Sequence, residues 1–345
     1  MSDSTISIDG REIGGDNPCY VIAEIGANHN QDWETAKKLI DASVEAGADA
    51  VKFQSFTVEN WLSEDFTEFP TVDTEDVHEE LREAELPYSL YERIADYCDK
   101  IGVSCFSTPS HPDDVDRLAE IGVPAFKFGS VQITDLPTIQ HAASYDKPIV
   151  ISGGAADMSE VLETVESIES EVNIALLHCT SIYPCVDYAT VNLEVLDSYQ
   201  TMFDFPVGYS DHTMDPVTVP VAAVTKGADI LEKHVTLDRS MEGPDHPFAL
   251  EPNELNRMIT AIRRAEEALG DSYRRLLSEE EEIAKQGRRS LVSTTNIEAD
   301  DTITEEDITF KRPGTGISPK HLDLIVGRTA KEDINPNRVI TWEMV

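Results

Sequence analysis

Short apolar runs alternate with longer amphipathic segments along most of the chain. The runs are CYVIAEIG, DAVKFQ (49–54), VSCFSTP (103–109), AFKFGS (125–130), PIVISGG (148–154), NIALLHC (173–179), PVGYSD (206–211) and DILEKHV (229–235). They show little strict alternation, which is the pattern of parallel strands buried on both faces. Apolar residues at helical spacing fill Trp33 to Ala48, Tyr88–Lys100, Pro112–Glu120, Leu136–Ser144, Ser159–Ser170, Leu193–Tyr199, Pro216–Lys226 and Glu254–Ala268. The tripeptides GAD, GVS and GVP stand just before or at the start of several runs, where a left-handed glycine ends a helix. Eight strands alternating with eight helices predict an α/β fold, a (β/α)8 TIM barrel over residues 1–270. A doubly wound open sheet is the alternative, but no G-x-G-x-x-G loop follows the first strand.

Two stretches break the pattern. From Ser55 to Pro87 an acidic insertion carries Phe56, Trp61, Phe66 and Phe69. It suits either a lid over the barrel mouth or a packed excursion. From about Gln286 short β-like runs are broken by Gly, Pro, Asp and Asn. Residues 288–345 are therefore expected to form a small β-rich domain, with 271–287 as a helical linker whose acid run is a solvated face.

Composition narrows the function. There are 66 Asp+Glu against 27 Lys+Arg, for a net charge of −39. So acidic a chain is a poor partner for nucleic acid or an anionic membrane. The acid is spread along the chain, which fits a salt-adapted, halophilic surface whose self-repulsion is screened. No run reaches membrane-spanning length and the N-terminus lacks a signal pattern, so a cytoplasmic protein is expected. The five cysteines are odd in number and lack a CxxC pair, which favours reduced thiols.

Active sites of such barrels lie at the C-terminal strand ends. Those ends carry Glu24, Asn28 and His29, Lys52 and Gln54, Ser107 and Thr108, Lys127 and Ser130, and Ser152 before two glycines. They continue with His178, Thr180 and Ser181, then Ser210, Asp211 and His212, then Glu232, Lys233 and His234. Two lysines, several hydroxyls and a glycine turn suit a phosphate. His212 and His234 either hold a divalent metal or cap their strands. Each lysine either binds an anion or pairs with Glu24 or Glu232.

The segments AEIGANHNQDWETAKKLI, VKFQ, FSTP, FKFGS, CTSIYP, GYSDHT, EKHVTLDRSMEGPDH and KRPGTGISP, in that order, resemble the nonulosonic acid synthases. These include the synthases of N-acetylneuraminic (sialic), legionaminic and pseudaminic acids. The resemblance runs from about residue 17 to the end. It implies a barrel followed by an antifreeze-like (SAF, β-clip) domain. The implied reaction condenses phosphoenolpyruvate with an open-chain N-acetylated mannosamine-type aldehyde, assisted by Mn²⁺, or by Mg²⁺ or Co²⁺. His212 and His234 would hold the metal. Glu24, Lys52 and Lys127 would be catalytic. Thr108, Ser130, Ser152 and Ser210 would hold phosphoenolpyruvate with the lysines, and Gln54, Tyr183 and Asp245 the sugar. Arg312 would reach the partner's site in a domain-swapped homodimer. Two substrate-pocket positions depart from the family's usual residues, Ser181 for Asn and Gln132 for Glu. The sugar therefore stays open between neuraminate and legionaminate precursors, with a pseudaminate synthase or an inactive sugar-binding assembly protein as alternatives.

Overall fold

The computed structural model describes residues 4–68, 76–168 and 172–345. The chain divides into two compact units, Met1–Gly270 and Asp271–Val345.

The first unit opens with a hairpin, β1 (Ile6–Ile8) and β2 (Arg11–Ile13), paired antiparallel. Asp9 and Gly10 turn it at φ 55° and 77°, as an Asp-Gly hairpin turn requires. Then follow β3 (Tyr20–Gly26), α1 (Trp33–Ala46), β4 (Ala50–Ser55), α2 (Val58–Trp61), α3 (Val77–Ala84), α4 (Tyr88–Ile101), β5 (Ser104–Pro109) and α5 (Pro112–Ile121). The order continues with β6 (Phe126–Phe128), α6 (Leu136–Ala143), β7 (Ile149–Ser152), α7 (Met158–Ser167) and β8 (Ile174–Cys179). It ends with α8 (Val195–Met202), β9 (Val207–Asp211), α9 (Thr218–Thr225), β10 (Ile230–His234) and α10 (Pro252–Leu269). Strands β3 to β10 close into one barrel, β10 pairing parallel with β3.

Local chemistry explains the boundaries. Asp32 caps α1 by accepting from the Thr35 N–H at 2.8 Å, and α5 begins with His111 at its cap and Pro112 at its first position. Gly47, Gly102 and Gly122 end α1, α4 and α5 in the left-handed region. The barrel strands are buried along nearly their whole length, so two-sided burial and not alternation sets their sequence.

The hairpin was not expected from the sequence. Its strands have three residues each, too few for a periodic signal. Ile6, Ile8 and Ile13 nevertheless join the main core. The described part of the insertion is packed: Phe56, Val58, Val77, Leu81 and Ala84 form a small core with Ala27, and Phe56 meets Trp61 at 4.6 Å. Phe69 and the expected helix end at Ser170 lie outside the described residues.

The second unit contains α11 (Ser278–Gly287), β11 (Ser290–Ser293), β12 (Ile308–Lys311) and α12 (Leu322–Ile325). The antiparallel pair β11–β12 lies over a core of Leu291, Ile297, Ile303, Ile317, Ile325, Ile334 and Ile340. The segment expected to be a linker falls within this unit and carries α11. Among the described residues no helix is long and apolar enough to cross a membrane. All five cysteines are free and buried.

One half-buried carboxylate makes stability depend on pH. Asp229 precedes β10 and accepts from the Val207 N–H at 3.1 Å. Burial pushes its carboxyl up to about 6. The folded state therefore binds the proton more tightly than the unfolded chain, and this group's contribution is lost as pH rises from about 4 through about 6. Asp229→Asn keeps an acceptor for Val207 and removes the charge. Its melting temperature is expected to exceed wild type by a few degrees at pH 7, the gap closing below pH 4. A gap that does not change with pH would show that the carboxylate is not the cause.

Candidate active site

The barrel interior at the C-terminal strand ends holds a buried charge cage. Lys52 Nζ lies 2.7 Å from Glu24 Oε2 and 3.7 Å from Glu232 Oε1. Lys127 Nζ lies 3.4 Å from Glu232 Oε2. All four side chains are at most 7% exposed. Period-two geometry puts them together, because every second residue of a strand faces the same side. Lys52 also donates to Thr108 Oγ1 at 2.9 Å, and Lys127 donates to Ser152 Oγ at 2.7 Å and to the Phe128 carbonyl at 2.9 Å. Gln54 donates to Glu24 Oε1 at 3.0 Å.

The electrostatics follow from burial. Loss of water pushes the Glu24 carboxyl up to about 7, with the Glu232 charge adding to the rise and Lys52 opposing it. Burial holds the Lys127 ammonium below its usual range despite Glu232. In Glu232 burial acts upward, but Lys127 and Lys52 outweigh it and keep the carboxyl low. Two ammoniums thus face two carboxylates, one held ionised and one near neutrality.

Beside the cage stand two imidazoles. The rings of His212 and His234 have centroids 5.6 Å apart. His212 Nδ1 lies 3.0 Å from the Thr180 carbonyl, so that nitrogen carries the proton and Nε2 keeps its lone pair. His234 Nδ1 is buried without a partner, 3.6 Å from Asp245 Oδ2, which has none either. Burial, then the neighbouring cations, holds His234 well below the ordinary imidazole range, hence neutral. Two adjacent imidazoles, with His234 Nδ1 and Asp245 Oδ2 left buried and without partners beside them, fit a divalent metal. Among the described residues no group of three or more His, Cys, Asp or Glu could hold a metal ion. The chain would supply two donors and leave the other positions to water or substrate.

Tyr183 lies tilted against His212 at 4.0 Å between ring centroids, meets His234 edge-on at 6.4 Å and packs 5.3 Å from Phe248. Gly26 has φ 55°, and a Cβ there would come within 2.6 Å of Asp245 Oδ2 and 3.2 Å of both Gln54 and Glu24. Only a glycine lets these three side chains converge. Gly154 does the same for hydroxyls: a Cβ would meet Ser181 Oγ at 2.6 Å and Ser130 Oγ at 2.7 Å. Ser210 is buried at the end of β9, in register between Cys179 and Glu232.

Other strand-end groups face elsewhere. Lys233 and Asp211 pair with each other at 2.6 Å, on the face opposite Glu232 and Ser210. His178 contacts the Val191 carbonyl at 2.8 Å and packs beside Tyr209. The Gln132 amide is taken up by backbone, accepting from the Gly129 N–H at 2.7 Å and donating to the Pro109 carbonyl at 2.6 Å. Arg312 is an exposed residue of the second unit, just after β12. Glu232 had appeared only as an ion-pair alternative for the lysines, yet it contacts both. Its signal was its place two residues before His234.

Comparison with known proteins bears on the whole chain. Residues 39–274 match the model of the NeuB family, and residues 288–345 match that of the SAF domain. The chain belongs to the NeuB family. This family member is 34% identical to the N,N'-diacetyllegionaminic acid synthase of Legionella pneumophila, over 97% of this chain and 98% of the relative. It is also 34% identical to the N-acetylneuraminate-9-phosphate synthase of Mus musculus, over 97% and 95%. Among solved structures, the N-acetylneuraminic acid (sialic acid) synthetase of Leptospira borgpetersenii superposes with a TM-score of 0.74 at 31% identity, covering 82% of this chain and 95% of that one. The expected (β/α)8 barrel with a C-terminal SAF domain is thereby established for this NeuB-family chain.

Proposed function

We propose that the protein condenses phosphoenolpyruvate with the open-chain form of an unphosphorylated, N-acetylated mannosamine-type sugar, giving a nine-carbon 2-keto acid and phosphate. The observation that carries this reading is the buried cage of Lys52, Lys127, Glu24 and Glu232 beside the His212–His234 pair. The names of two relatives, a legionaminic acid synthase and an N-acetylneuraminic acid synthetase, support the condensation, while the N-acetylneuraminate-9-phosphate synthase is the relative whose name carries a phosphate.

In this reading Lys52 and Lys127, with the hydroxyls of Thr108, Ser130, Ser152 and Ser210, hold the phosphate and carboxylate of phosphoenolpyruvate. Gln54, Tyr183 and Asp245 orient the sugar, and Ser181 lines the anion side. A divalent ion of the Mn²⁺ class, held by His212 and His234, would supply Lewis-acid polarisation of the sugar aldehyde. C3 of the enol then bonds to the aldehyde carbon and leaves positive charge at C2. Glu24 takes a proton from the water that adds at C2. The C2 hydroxyl then gives its proton to the departing phosphate as the C2–O bond breaks, leaving the 2-keto group, and the oxygen of the former aldehyde takes up the proton held by Glu24. A second copy of the chain would bring Arg312, whose fan of donors suits an amide or a hydroxyl-rich sugar.

An unphosphorylated sugar is favoured over a sugar phosphate because the cations near the cage are already engaged. Lys52 and Lys127 share the two carboxylates, Lys233 holds Asp211, and Arg239 holds Glu254 and the Ala249 carbonyl. A second phosphate would need a further free cation.

The test incubates the protein with phosphoenolpyruvate, Mn²⁺ and either N-acetylmannosamine or 2,4-diacetamido-2,4,6-trideoxymannose. Released phosphate and product mass are followed, and the preferred sugar separates neuraminate from legionaminate synthesis. Absence of phosphate release with every such sugar rejects the reading. His212→Ala and His234→Ala are expected to lower turnover by about 100-fold or more while leaving the far-ultraviolet circular dichroism unchanged. Their Mn²⁺ binding, followed by electron paramagnetic resonance, should weaken in step. Wild-type metal affinity in either variant removes that histidine from the ligand set.

A further inference from the structure

The barrel seam between β5 and β6 is the thinnest in the ladder. It has one residue pair in register, Ser107 with Phe126, whereas the neighbouring seam between β4 and β5 has six. Beyond that pair the two strand ends carry Thr108 on one side and Ser130 on the other. No backbone ladder fixes their separation there. Gln132 fills the gap. Its Oε1 accepts from the Gly129 N–H at 2.7 Å and its Nε2 donates to the Pro109 carbonyl at 2.6 Å. One side-chain amide thus bridges the residue after Thr108 to the residue before Ser130, with the donor–acceptor order of a missing ladder step. The far side of the same turn is held by Thr164 of α7, which donates to the Ile133 carbonyl at 2.6 Å.

We propose that Gln132 is a positioning residue for phosphoenolpyruvate, acting through the seam between β5 and β6 to hold Thr108 and Ser130 at the spacing one anion needs. The proposal rests on the reading of the cage as the phosphoenolpyruvate site. It gives Gln132 a role different from direct contact with substrate. It also makes the amide chemically specific. A carboxylate in its place still accepts from Gly129, but it opposes a second acceptor to the Pro109 carbonyl and leaves that carbonyl without its donor. A methionine keeps the length and offers neither bond.

The experiment titrates phosphoenolpyruvate into full-length wild type, Gln132→Glu and Gln132→Met by calorimetry, and measures KM for both substrates and kcat. Loss of one or two such bonds predicts a rise of about tenfold in the phosphoenolpyruvate Kd and KM for both variants. The sugar KM and kcat should move much less. A neutral variant is included because Gln132→Glu also brings a charge near an anion. If only the Glu variant weakens binding, charge and not spacing is responsible and the proposal is overturned. Parallel rises in both KM values, or unchanged values in both variants, overturn it as well. Failure of the wild type itself to bind phosphoenolpyruvate would instead reject the reading of the cage, and this inference with it.

Discussion

Glu24→Gln is expected to lower kcat by about 10²–10⁴-fold while leaving KM for phosphoenolpyruvate unchanged or lower. The substitution keeps the shape and one of two contacts: the glutamine oxygen can still accept from Gln54, while its NH2 takes the place of the oxygen that faced Lys52. The charge and the proton acceptor are what disappear. Lys52 retains Glu232 at 3.7 Å and Thr108 at 2.9 Å, so the ammonium is not left bare and the fold should hold. One negative charge fewer in a buried cage also eases entry of an anion.

The pH profile sharpens this prediction. With the Glu24 carboxyl pushed up to about 7 by burial, the group is mostly protonated at pH 6 and mostly ionised at pH 8. A protonated carboxyl cannot take a proton from water. Wild-type kcat should therefore rise with pH through about 7, and Glu24→Gln should lose that limb. Phosphate release measured from pH 5.5 to 9 decides. A variant keeping a tenth or more of the activity with the same pH limb would mean that Glu24 is not the base.

Much of this candidate site is legible in the sequence, because a buried parallel strand writes a continuous apolar run and any polar residue at its end is conspicuous. Glu24, Lys52, Thr108, Lys127, Ser152, His212 and His234 were all visible in that way, and the structure gathers them at one end of the barrel. Facing was harder to read. Glu232, Lys233 and His234 are consecutive, yet Glu232 reaches the cage lysines while Lys233 turns to Asp211. A run too apolar to alternate hides the period that separates them. The Gln132 bridge was hidden for a different reason. Its partners are backbone atoms of Pro109 and Gly129, and no residue pattern announces a backbone partner. The first hairpin left only its Asp-Gly turn as a trace.

Lys233→Met is expected to destabilise the protein by about 3–5 kcal/mol, because it leaves the Asp211 carboxylate buried without its counter-charge. The pair is 1% and 0% exposed, so solvent cannot substitute for the lost ammonium. Asp211 keeps the Thr213 N–H at 2.8 Å and the Thr213 hydroxyl at 3.2 Å, which are neutral donors and weaker partners for an ion. The double variant Asp211→Asn with Lys233→Met removes the stranded charge and should recover most of the loss. Urea unfolding of the two single variants and the double closes the cycle. The site provides a second readout. Lys233 also donates to the Thr213 carbonyl, so the pair holds the backbone on both sides of His212. The double variant should regain stability yet still bind Mn²⁺ more weakly than wild type. A single variant within about 1 kcal/mol of wild type would mean that the buried ion pair contributes no more than an exposed one. In that case something other than this pair must hold His212 in place.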